Sequence, residues 1–571
     1  MRRLLGTAIA VIALIIILVI AIFGGEIWGK FSEGAKRANL DEYFSINNSS
    51  EVAIVVDEVV IEDKGVFVDN TYYMSLDTIS AYVHPRFYYS EVDEEIRFSD
   101  GEAIICAKLE ESQWTLNKAD NIEEKSEEYT IARLEDGACY IAVDFLNKFL
   151  SSKVQEYEQP NRLVVGAFDK ESYAVVKESS AVRWFAGPKS EILVDAIKGD
   201  EVAIIDREVE GWVKVLTKDG FIGYIKEKAL EKTITKSSHQ KEEPVYQEVP
   251  YSSITMEEPI SLGFHAIYSV EGNKGLKSVV ETAHAMNVIA PTWFSITDET
   301  GAFVSLASPD YVEEAHEMGL KVWGVVKDFE YKVDMYPVLS SASNRKSLIT
   351  NLVNQAVTLG IDGINIDFET IREEESIHYI QFLRELSIKC RANSLVLSVD
   401  NYPSNSGNQY LDFAEQGVIA DYLIIMGYDE HWAGSKDPGS TASLSFSTNS
   451  IINIISKVSK DKVVLALPFY TRLWKESEGE VTDESVVISE IEETAKKLGM
   501  ISIWDEELGQ HYASVEGEDA SYYMWIEDDK SLERKMQMIL EKDIAGIAVW
   551  SLGFEDITTW DMLETYIKQM P

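Results

Sequence analysis

Residues 362–369 read Asp-Gly-Ile-Asn-Ile-Asp-Phe-Glu, and this alternation of apolar and polar residues predicts a β-strand. Side chains in a strand alternate between two faces, so Asn365, Asp367 and Glu369 share one face. The isoleucines and the phenylalanine share the other face, which is too bulky and apolar for a solvated edge strand. We therefore expect the apolar face to pack on helices and the polar face to point into a barrel.

Seven similar apolar runs lie within residues 259–571, and amphipathic stretches separate them. The eight runs are 262–265, 288–291, 322–326, 363–368, 395–399, 422–426, 463–467 and 546–550. Strands that alternate with helices over this length predict an α/β fold, a (β/α)8 TIM barrel. A doubly wound open sheet could also hold eight strands, but no glycine-rich phosphate turn follows the first run.

Asp367 and Glu369 lie two residues apart at the C-terminal end of the fourth run. Catalytic groups of TIM barrels lie at that end of the strands. A carboxylate inside a barrel costs several kcal/mol unless it has a partner or a function. The two carboxyl groups are therefore candidate catalytic residues.

The octapeptide resembles the Asp-x-x-Asp-x-Asp-x-Glu signature of glycoside hydrolase family 18, the chitinase-like enzymes. Further matches follow in barrel order: Met-Gly-Tyr-Asp at 426–429, Leu-Pro-Phe-Tyr-Thr-Arg-x-Trp at 467–474, and Trp550. Residues 428–435 are similar to the spore-germination and cortex-lytic branch of that family. The resemblance covers roughly the last 55% of the chain, residues 259–571.

The resemblance implies a retaining, substrate-assisted mechanism in which the nucleophile belongs to the sugar. Glu369 would protonate the glycosidic oxygen, with its pKa raised by an apolar pocket and by Asp367. Asp367 would hold the N–H of the substrate's 2-acetamido group, and Tyr428 would donate a hydrogen bond to the acetamido oxygen. The residues expected to bind the sugars are Asn365, Asp429, Arg472, Trp550, Trp432 and Trp474. Neither a metal nor a cofactor is expected.

Asn365 departs from the family pattern, because many chitinases carry Asp at this position. An amide cannot share a proton with Asp367, so we expect Asp367 to stay more fully ionised. Similar asparagines occur in the cortex-lytic branch, so the change is not a sign of inactivity.

The N-terminal half predicts β-rich modules. In residues 50–169, Tyr-Met-Ser-Leu-Asp-Thr-Ile at 73–79 weakly repeats as Tyr-Ile-Ala-Val-Asp-Phe-Leu at 140–146, a pattern that resembles the copper amine oxidase N-terminal-like stalk domain. No copper is implied, since His84 is the only histidine in this segment.

Residues 170–231 contain five strand-like runs and resemble a bacterial SH3 domain, a module often used on cell-wall peptides. The alternative is that this segment is a plain spacer.

Residues 4–23 form an uncharged apolar run of membrane-spanning length after Arg2 and Arg3. We expect residues 1–25 to be an uncleaved single-pass anchor that leaves the remainder outside a Gram-positive-type cell membrane. A cleaved signal peptide and a secreted protein are the alternative, although Phe-Gly-Gly at 23–25 is a poor cleavage site. Residues 26–49 are predicted to be a spacer and residues 232–258 a linker.

Composition limits the partners. The chain has 52 Lys+Arg against 97 Asp+Glu, a formal charge of -45, and no basic surface for nucleic acid is expected. Its three cysteines form no metal-binding pattern, although Cys106 and Cys139 could pair in an oxidising compartment.

The sequence therefore predicts an enzyme that hydrolyses β-1,4 bonds in a polymer containing N-acetylglucosamine. The wall-type modules and the anchor favour peptidoglycan as the glycan partner and the membrane as the attachment site. The alternatives are a chitinase, or a non-catalytic sugar-binding or wall-tethering protein on the same barrel.

Overall fold

This computed structural model describes residues 33–118, 121–150, 153–166, 172–231, 234–235 and 246–570. The predicted anchor, residues 4–23, lies outside these residues. Among the residues described, no helix is long and apolar enough to cross a membrane. Contacts divide the chain into two compact units. Of the described residues, the first contains those within 33–89, 107–114 and 126–248, and the second contains those within 90–106, 115–125 and 249–570.

The second unit is built around eight parallel strands. They are β1 (Ile260–His265), β2 (Val288–Pro291), β3 (Lys321–Lys327), β4 (Gly363–Asp367), β5 (Val396–Asn401), β6 (Tyr422–Met426), β7 (Val463–Pro468) and β8 (Gly546–Trp550). Each strand pairs in parallel with the next, and β8 pairs in parallel with β1, so the sheet closes. The predicted eight-stranded barrel is confirmed, with strand ends within about two residues of the expected runs.

A helix follows each barrel strand. The helices are α1 (Leu276–Val280), α2 (Pro309–Glu317), α3 (Ala342–Leu359), α4 (Ser376–Ala392), α5 (Phe413–Ile419), α6 (Leu444–Ile455), α7 (Asp529–Lys542) and α8 (Thr559–Ile567). A shorter helix, Met335–Ser340, precedes α3, and two short strands, Phe294–Ile296 and Phe303–Ser305, lie between β2 and α2. Because every crossover carries a helix, the sheet is covered on its outer side.

Two apolar layers explain the alternation in β4. Ile364, Ile366 and Phe368 belong to a large cluster that includes Leu383 of α4, so this face packs between the sheet and the helices. A second cluster fills the barrel interior with residues such as Val325, the Cα neighbour of Asn365. The two faces of β4 therefore lie as the period of two predicts.

An antiparallel sheet is inserted between β7 and α7, and it was not predicted. Its strands are Tyr470–Ser477, Glu480–Val487, Ile501–Asp505, Gln510–Glu516 and Ser521–Ile526, and the helix Ile491–Leu498 lies between the second and third. The first of these strands begins two residues after β7. The insertion thus starts directly at the C-terminal end of the barrel.

A seven-stranded sheet and three short helices belong to the N-terminal unit. The sheet contains Glu51–Val56, Val59–Val68, Thr71–Ser75, Ala132–Glu135, Ala138–Ala142, Gln155–Tyr157 and Arg162–Val165. The helices are Leu40–Tyr43, Leu76–Tyr82 and Val143–Leu146. The stalk-domain resemblance stays a prediction. The predicted spacer, 26–49, is folded where it is described, because Phe44 is fully buried in an apolar cluster.

The SH3-like module has the five predicted strands. They are Ser180–Arg183, Ile192–Ala196, Glu201–Asp206, Trp212–Thr217 and Ile222–Lys226, joined in one sheet by Ser172–Val175 and Ile234–Thr235. Val182, Val213, Val215 and Ile225 form its buried interior. Short strands with a shared apolar interior are what a small barrel requires.

A further sheet has the strands Phe87–Ser90, Glu95–Ser99, Ala103–Lys108, Gln113–Lys118 and Asn121–Ser126. Its segments Ser90–Cys106 and Thr115–Lys125 belong to the same compact unit as the barrel. Within that unit, Arg97 donates to Glu385 of α4 over 3.0 Å, and Gln381 of α4 donates to Ser99 over 3.0 Å. Cys106 and Cys139 are both free thiols, so the possible disulfide is not formed.

Candidate active site

A pocket of about 420 Å³ opens at the C-terminal ends of the barrel strands. Six of the predicted site residues line it: Asp367, Glu369, Tyr428, Asp429, Arg472 and Trp550. They come from the ends of β4, β6 and β8 and from the start of the inserted sheet. Residues that are up to 183 positions apart in sequence, from Asp367 to Trp550, thus meet in one cavity.

Glu369 is fixed through its backbone and its side chain. Its N–H donates to Oδ1 of Asp328 over 2.9 Å, and the hydroxyl of Tyr402 donates to its Oε2. Burial raises the pKa of Glu369, and Asp328 and Asp429 raise it further, whereas the Tyr402 hydrogen bond lowers it. The direction agrees with the sequence prediction, but the charges responsible belong to Asp328 and Asp429. A carboxyl group with a raised pKa keeps its proton to higher pH and can act as a general acid.

Asp328 organises the turn after β4. Its carboxylate is fully buried and accepts hydrogen bonds from the Thr370 N–H at 3.1 Å and the Thr370 hydroxyl at 2.6 Å, besides the one from Glu369. These three bonds fix the backbone that carries Glu369. Asp328 therefore determines where the Glu369 side chain begins.

Asp367 does not have the ionisation that the sequence predicts. Burial raises its pKa well above the usual range, and the charges of Asp400, Glu369 and Asp328 raise it further, while Lys327 opposes the shift. The prediction that Asp367 stays more fully ionised because residue 365 is an amide is wrong. The physical reason is that Asp367 is buried and that Asp400, from the neighbouring strand, places a second carboxyl group near it.

Asn365 does not line the pocket, contrary to its predicted role in substrate binding. It is fully buried, and its Nδ2 donates to Oδ1 of Asp400 over 2.7 Å and to Oγ of Ser398 over 3.0 Å. The amide thus joins β4 to β5 beneath the pocket. Its contact is with Asp400 and not with the cavity.

Tyr428 presents a protonated hydroxyl to the pocket. It is 9% exposed, and burial raises its pKa well above the usual range, with Tyr470, Asp367, Asp400 and Glu369 adding to the shift. The hydroxyl therefore stays neutral at all ordinary pH values and can donate a hydrogen bond.

Asp429 and Arg472 form one polar wall. Asp429 accepts from the hydroxyl of Tyr470 at 2.6 Å and from Arg472 at 3.2 Å. Arg472 also donates to Asp483 at 2.8 Å, in the second strand of the inserted sheet. Because the arginine bridges two carboxylates, both side chains are held in place beside the cavity.

Trp550 and Phe264 make the apolar part of the pocket, with ring centroids 5.6 Å apart. Tyr268 also lines the cavity and is 81% exposed, so it lies at the mouth. Flat aromatic surfaces beside hydrogen-bonding groups suit the alternating apolar and hydroxyl faces of a sugar.

The other predicted tryptophans lie away from the pocket. Trp474 is fully buried and donates from Nε1 to the carbonyl oxygen of Gly439 over 2.8 Å, so it is a packing residue. Trp432 is 60% exposed but does not line the cavity. Trp293 is fully buried, and His265 is buried and bonds the hydroxyl of Tyr311 over 2.8 Å, so both are packing residues.

The sequence interpretation missed several pocket residues, among them Lys327, Asp400, Tyr402 and Tyr470. The sequence contained a signal for two of these four residues. Lys327 and Asp400 are the first polar residues after the apolar runs 322–326 and 395–399. The rule that barrel chemistry lies at the C-terminal strand ends applies to β3 and β5 as it does to β4.

Comparison with known proteins gives two family matches. Residues 311–555 match the family described as glycosyl hydrolases family 18, and residues 185–230 match the bacterial dipeptidyl-peptidase Sh3 domain. The family 18 match contains the strands β3 to β8, and therefore Asp367 of β4 and Asp400 of β5.

Two curated relatives are similar to the C-terminal part of the chain. The uncharacterized glycosylase YvbX of Bacillus subtilis (strain 168) is 25% identical over 330 residues, which are 55% of this chain and 94% of YvbX. A cortical fragment-lytic enzyme of Bacillus anthracis is 27% identical over 236 residues, which are 40% of this chain and 54% of that enzyme. The chain thus spans about half the length of the second relative.

The barrel also has a counterpart among solved structures. The C-terminal domain of a Desulfitobacterium hafniense DCB-2 protein superposes with a TM-score of 0.50 at 20% identity, covering 55% of this chain and all of that domain. This likeness supports the fold.

Proposed function

The chain is a glycoside hydrolase whose residues 311–555 are a family 18 domain, and on this premise we propose that it cleaves β-1,4 bonds in a glycan containing N-acetylglucosamine. The proposed mechanism is retaining and substrate-assisted. The main support for this proposal is that Glu369, Asp367 and Tyr428 line the same pocket. The aromatic ring of Trp550 lines it as well.

Glu369 is the proposed proton donor. It transfers its proton to the glycosidic oxygen as the bond from that oxygen to the anomeric carbon breaks. The carbonyl oxygen of the substrate's own 2-acetamido group attacks the anomeric carbon and forms an oxazolinium ion. Glu369, now a carboxylate, takes a proton from the water that opens this ring, so the anomeric configuration is retained.

Asp367 and Tyr428 would bind and orient the acetamido group. Asp367 accepts the N–H, which directs the carbonyl oxygen towards the anomeric carbon. Tyr428 donates its hydroxyl proton in a hydrogen bond to that oxygen and stabilises the charge that develops. Trp550 would carry the apolar face of the sugar ring, while Asp429 and Arg472 bind hydroxyl groups.

Peptidoglycan is the proposed substrate. The similarity to cortical fragment-lytic enzymes, the SH3 domain match at residues 185–230 and the predicted anchor at residues 4–23 all support a role at the bacterial wall. We place the enzyme on the outer side of the cell membrane, attached through that anchor. Mass analysis of products from purified peptidoglycan and from chitin tests the substrate, and faster cleavage of chitin would replace this assignment with a chitinase.

The N-acetyl group provides the test of mechanism. Purified enzyme should release products from acetylated glycan and fail on the same glycan after de-N-acetylation, because the nucleophile is then missing. Equal rates on both substrates would show that the mechanism is not substrate-assisted.

Glu369→Gln separates catalysis from binding. We expect product release to fall at least about 100-fold, the scale of a lost general acid, while glycan binding is retained. Asp437→Asn is the matched control, because it removes one exposed carboxylate outside the pocket. Unchanged release by Glu369→Gln would mean that Glu369 is not the acid, whereas a wild-type protein that binds glycan and releases no product would favour a sugar-binding or wall-tethering protein.

A further inference from the structure

Asp400 is a buried acid of the pocket that no motif of the chain accounts for. It is the fifth residue of β5, it is 4% exposed, and it lines the cavity together with Asp367. The parallel register pairs Asn365 with Ser398 and Ile366 with Val399. Continuing that register by one residue sets Asp400 beside Asp367.

Asn365 holds Asp400 in a defined orientation. Its Nδ2 donates to Oδ1 of Asp400 over 2.7 Å, and the same nitrogen donates to Oγ of Ser398 over 3.0 Å. An amide nitrogen can only donate, so Oδ1 of Asp400 is committed as an acceptor. A proton on Asp400 then belongs on Oδ2.

We propose that Asp400 is a positioning residue that shares one proton with Asp367 and so replaces, from the neighbouring strand, the carboxyl group that Asn365 lacks. This inference rests on the proposed function. Two buried carboxyl groups close together do not both ionise, so the pair keeps one proton at neutral pH. The raised pKa of both acids, due first to burial and then to neighbouring carboxylates, agrees with one shared proton.

The shared proton has a task in the proposed mechanism. Asp367 must be an anion when it accepts the acetamido N–H, and it can be one while Asp400 carries the proton. Protonated Asp400 can in turn donate a hydrogen bond to Asp367 and hold it towards the substrate. No proton leaves the pair during this exchange, and Glu369 remains the donor to the leaving group.

Other charged and titratable groups surround the pair and belong to its pH dependence. The end of β3 supplies Lys327, and the next residue is Asp328. The other groups are Glu369 in the turn after β4, Tyr379 of α4, Tyr402 after β5, and Tyr428 and Asp429 after β6. Lys327 is the cation of this group, and it opposes the shift at Asp367. Since the phenols stay neutral, the acidic side of the pH profile reports on the carboxyl groups.

The test is an exchange of acid and amide between the two strands. Asp400→Leu removes the hydrogen-bond donor of Asp367, so the ionised form of Asp367 is less stable and the acidic limb of the kcat/KM profile should move to higher pH. Asp400→Asn puts a neutral amide donor in the place of the protonated acid, so its acidic limb should stay near that of the wild type. Its kcat should fall far less than the ~100-fold expected for Glu369→Gln, because an amide N–H can donate as protonated Asp400 does. Asn365→Asp adds a third carboxyl group and should move the limb to higher pH.

The double variant Asn365→Asp/Asp400→Asn restores one acid and one amide. Its acidic limb should lie closer to that of the wild type than the limb of Asn365→Asp. Asp437→Asn again serves as the control for loss of one charge, with an unchanged limb.

Two results overturn the inference: an acidic limb of Asp400→Asn that moves to lower pH, which would mean that Asp400 carries a negative charge, or an acidic limb of Asp400→Leu that coincides with that of the wild type. If Asp400→Asn does not fold, the pH profile of Asn365→Asp is the test. An acidic limb of Asn365→Asp that coincides with that of the wild type then contradicts the inference. A wild-type enzyme inactive on every acetylated glycan rejects the proposed function instead, so the two failures are distinguishable.

Discussion

Tyr402 is the residue through which the proton affinity of Glu369 can be adjusted. Its hydroxyl donates to Oε2 of Glu369, and this bond lowers the pKa of that carboxyl group against the effects of burial and neighbouring acids. The basic limb of the pH profile falls where Glu369 loses its proton. Tyr402 and Glu369 thus set the upper pH limit of the enzyme together.

Tyr402→Phe should therefore move the basic limb of kcat/KM to higher pH, because the ionised form of Glu369 loses a hydrogen bond. A full pH profile of the two proteins measures the shift. Tyr331→Phe is the control, since Tyr331 is half-exposed and does not line the pocket. A shift to lower pH would contradict the assignment of Glu369 as the acid.

Glu369→Gln should also stabilise the protein. A carboxyl group whose pKa is raised in the folded state binds its proton more tightly there than in the unfolded chain, so its ionisation costs stability as pH rises. The gain in Tm over wild type should be small in acid and grow towards alkaline pH. A gain that is constant with pH would mean that ionisation of Glu369 is not the cause.

At the scale of elements, α4 carries a buried carboxylate that joins it to two other parts of the unit. Glu385 accepts from Arg345 of α3 at 3.1 Å and from Arg97 of the strand Glu95–Ser99 at 3.0 Å. Burial alone would raise the pKa of Glu385, but the two arginines lower it below the usual range. A lowered pKa means that this group stabilises the fold above its unfolded pKa, and the stabilisation is lost as pH falls through the folded value.

Arg97→Met should destabilise the protein by about 3 kcal/mol at neutral pH, because Glu385 loses one cation in a buried site. Chemical denaturation at neutral and acid pH measures this effect. The difference from wild type should shrink in acid, where Glu385 becomes protonated in both proteins. Arg207→Met is the control, since Arg207 pairs with Glu227 on the surface of the SH3-like module and such pairs contribute little.

At the scale of the whole molecule, the catalytic unit includes two segments that precede the SH3-like module in sequence. Ser90–Cys106 and Thr115–Lys125 belong to the same compact unit as residues 249–571. Arg97, Ser99 and Ser90 of the first segment bond Glu385, Gln381 and the carbonyl oxygen of Ser340. The barrel is thus stabilised by chain that lies outside its own continuous sequence.

A fragment of residues 249–571 should therefore lose glycosidase activity at a lower temperature than one of residues 33–571. Its α4 would expose Gln381 and leave Glu385 with one cation fewer. Residual activity after heating measures the difference in the same assay for both fragments. Equal inactivation temperatures would show that the barrel is self-sufficient.

The sequence by itself determined the eight barrel strands, the face on which Asp367 and Glu369 lie, and the five strands of the SH3-like module. These features follow from the side-chain period of a strand and from turn residues, which are local properties. The tertiary structure decided the rest. Asp328, Asp400 and Tyr402 come from β3, β5 and their following segments, and only closure of the barrel brings their charges and hydrogen bonds to β4. The inserted sheet and the complete burial of Trp474 likewise depend on contacts between distant segments. The pKa of Asp367 is thus raised first by burial in the closed barrel and then by Asp400, a neighbour that strand alternation within β4 could not reveal.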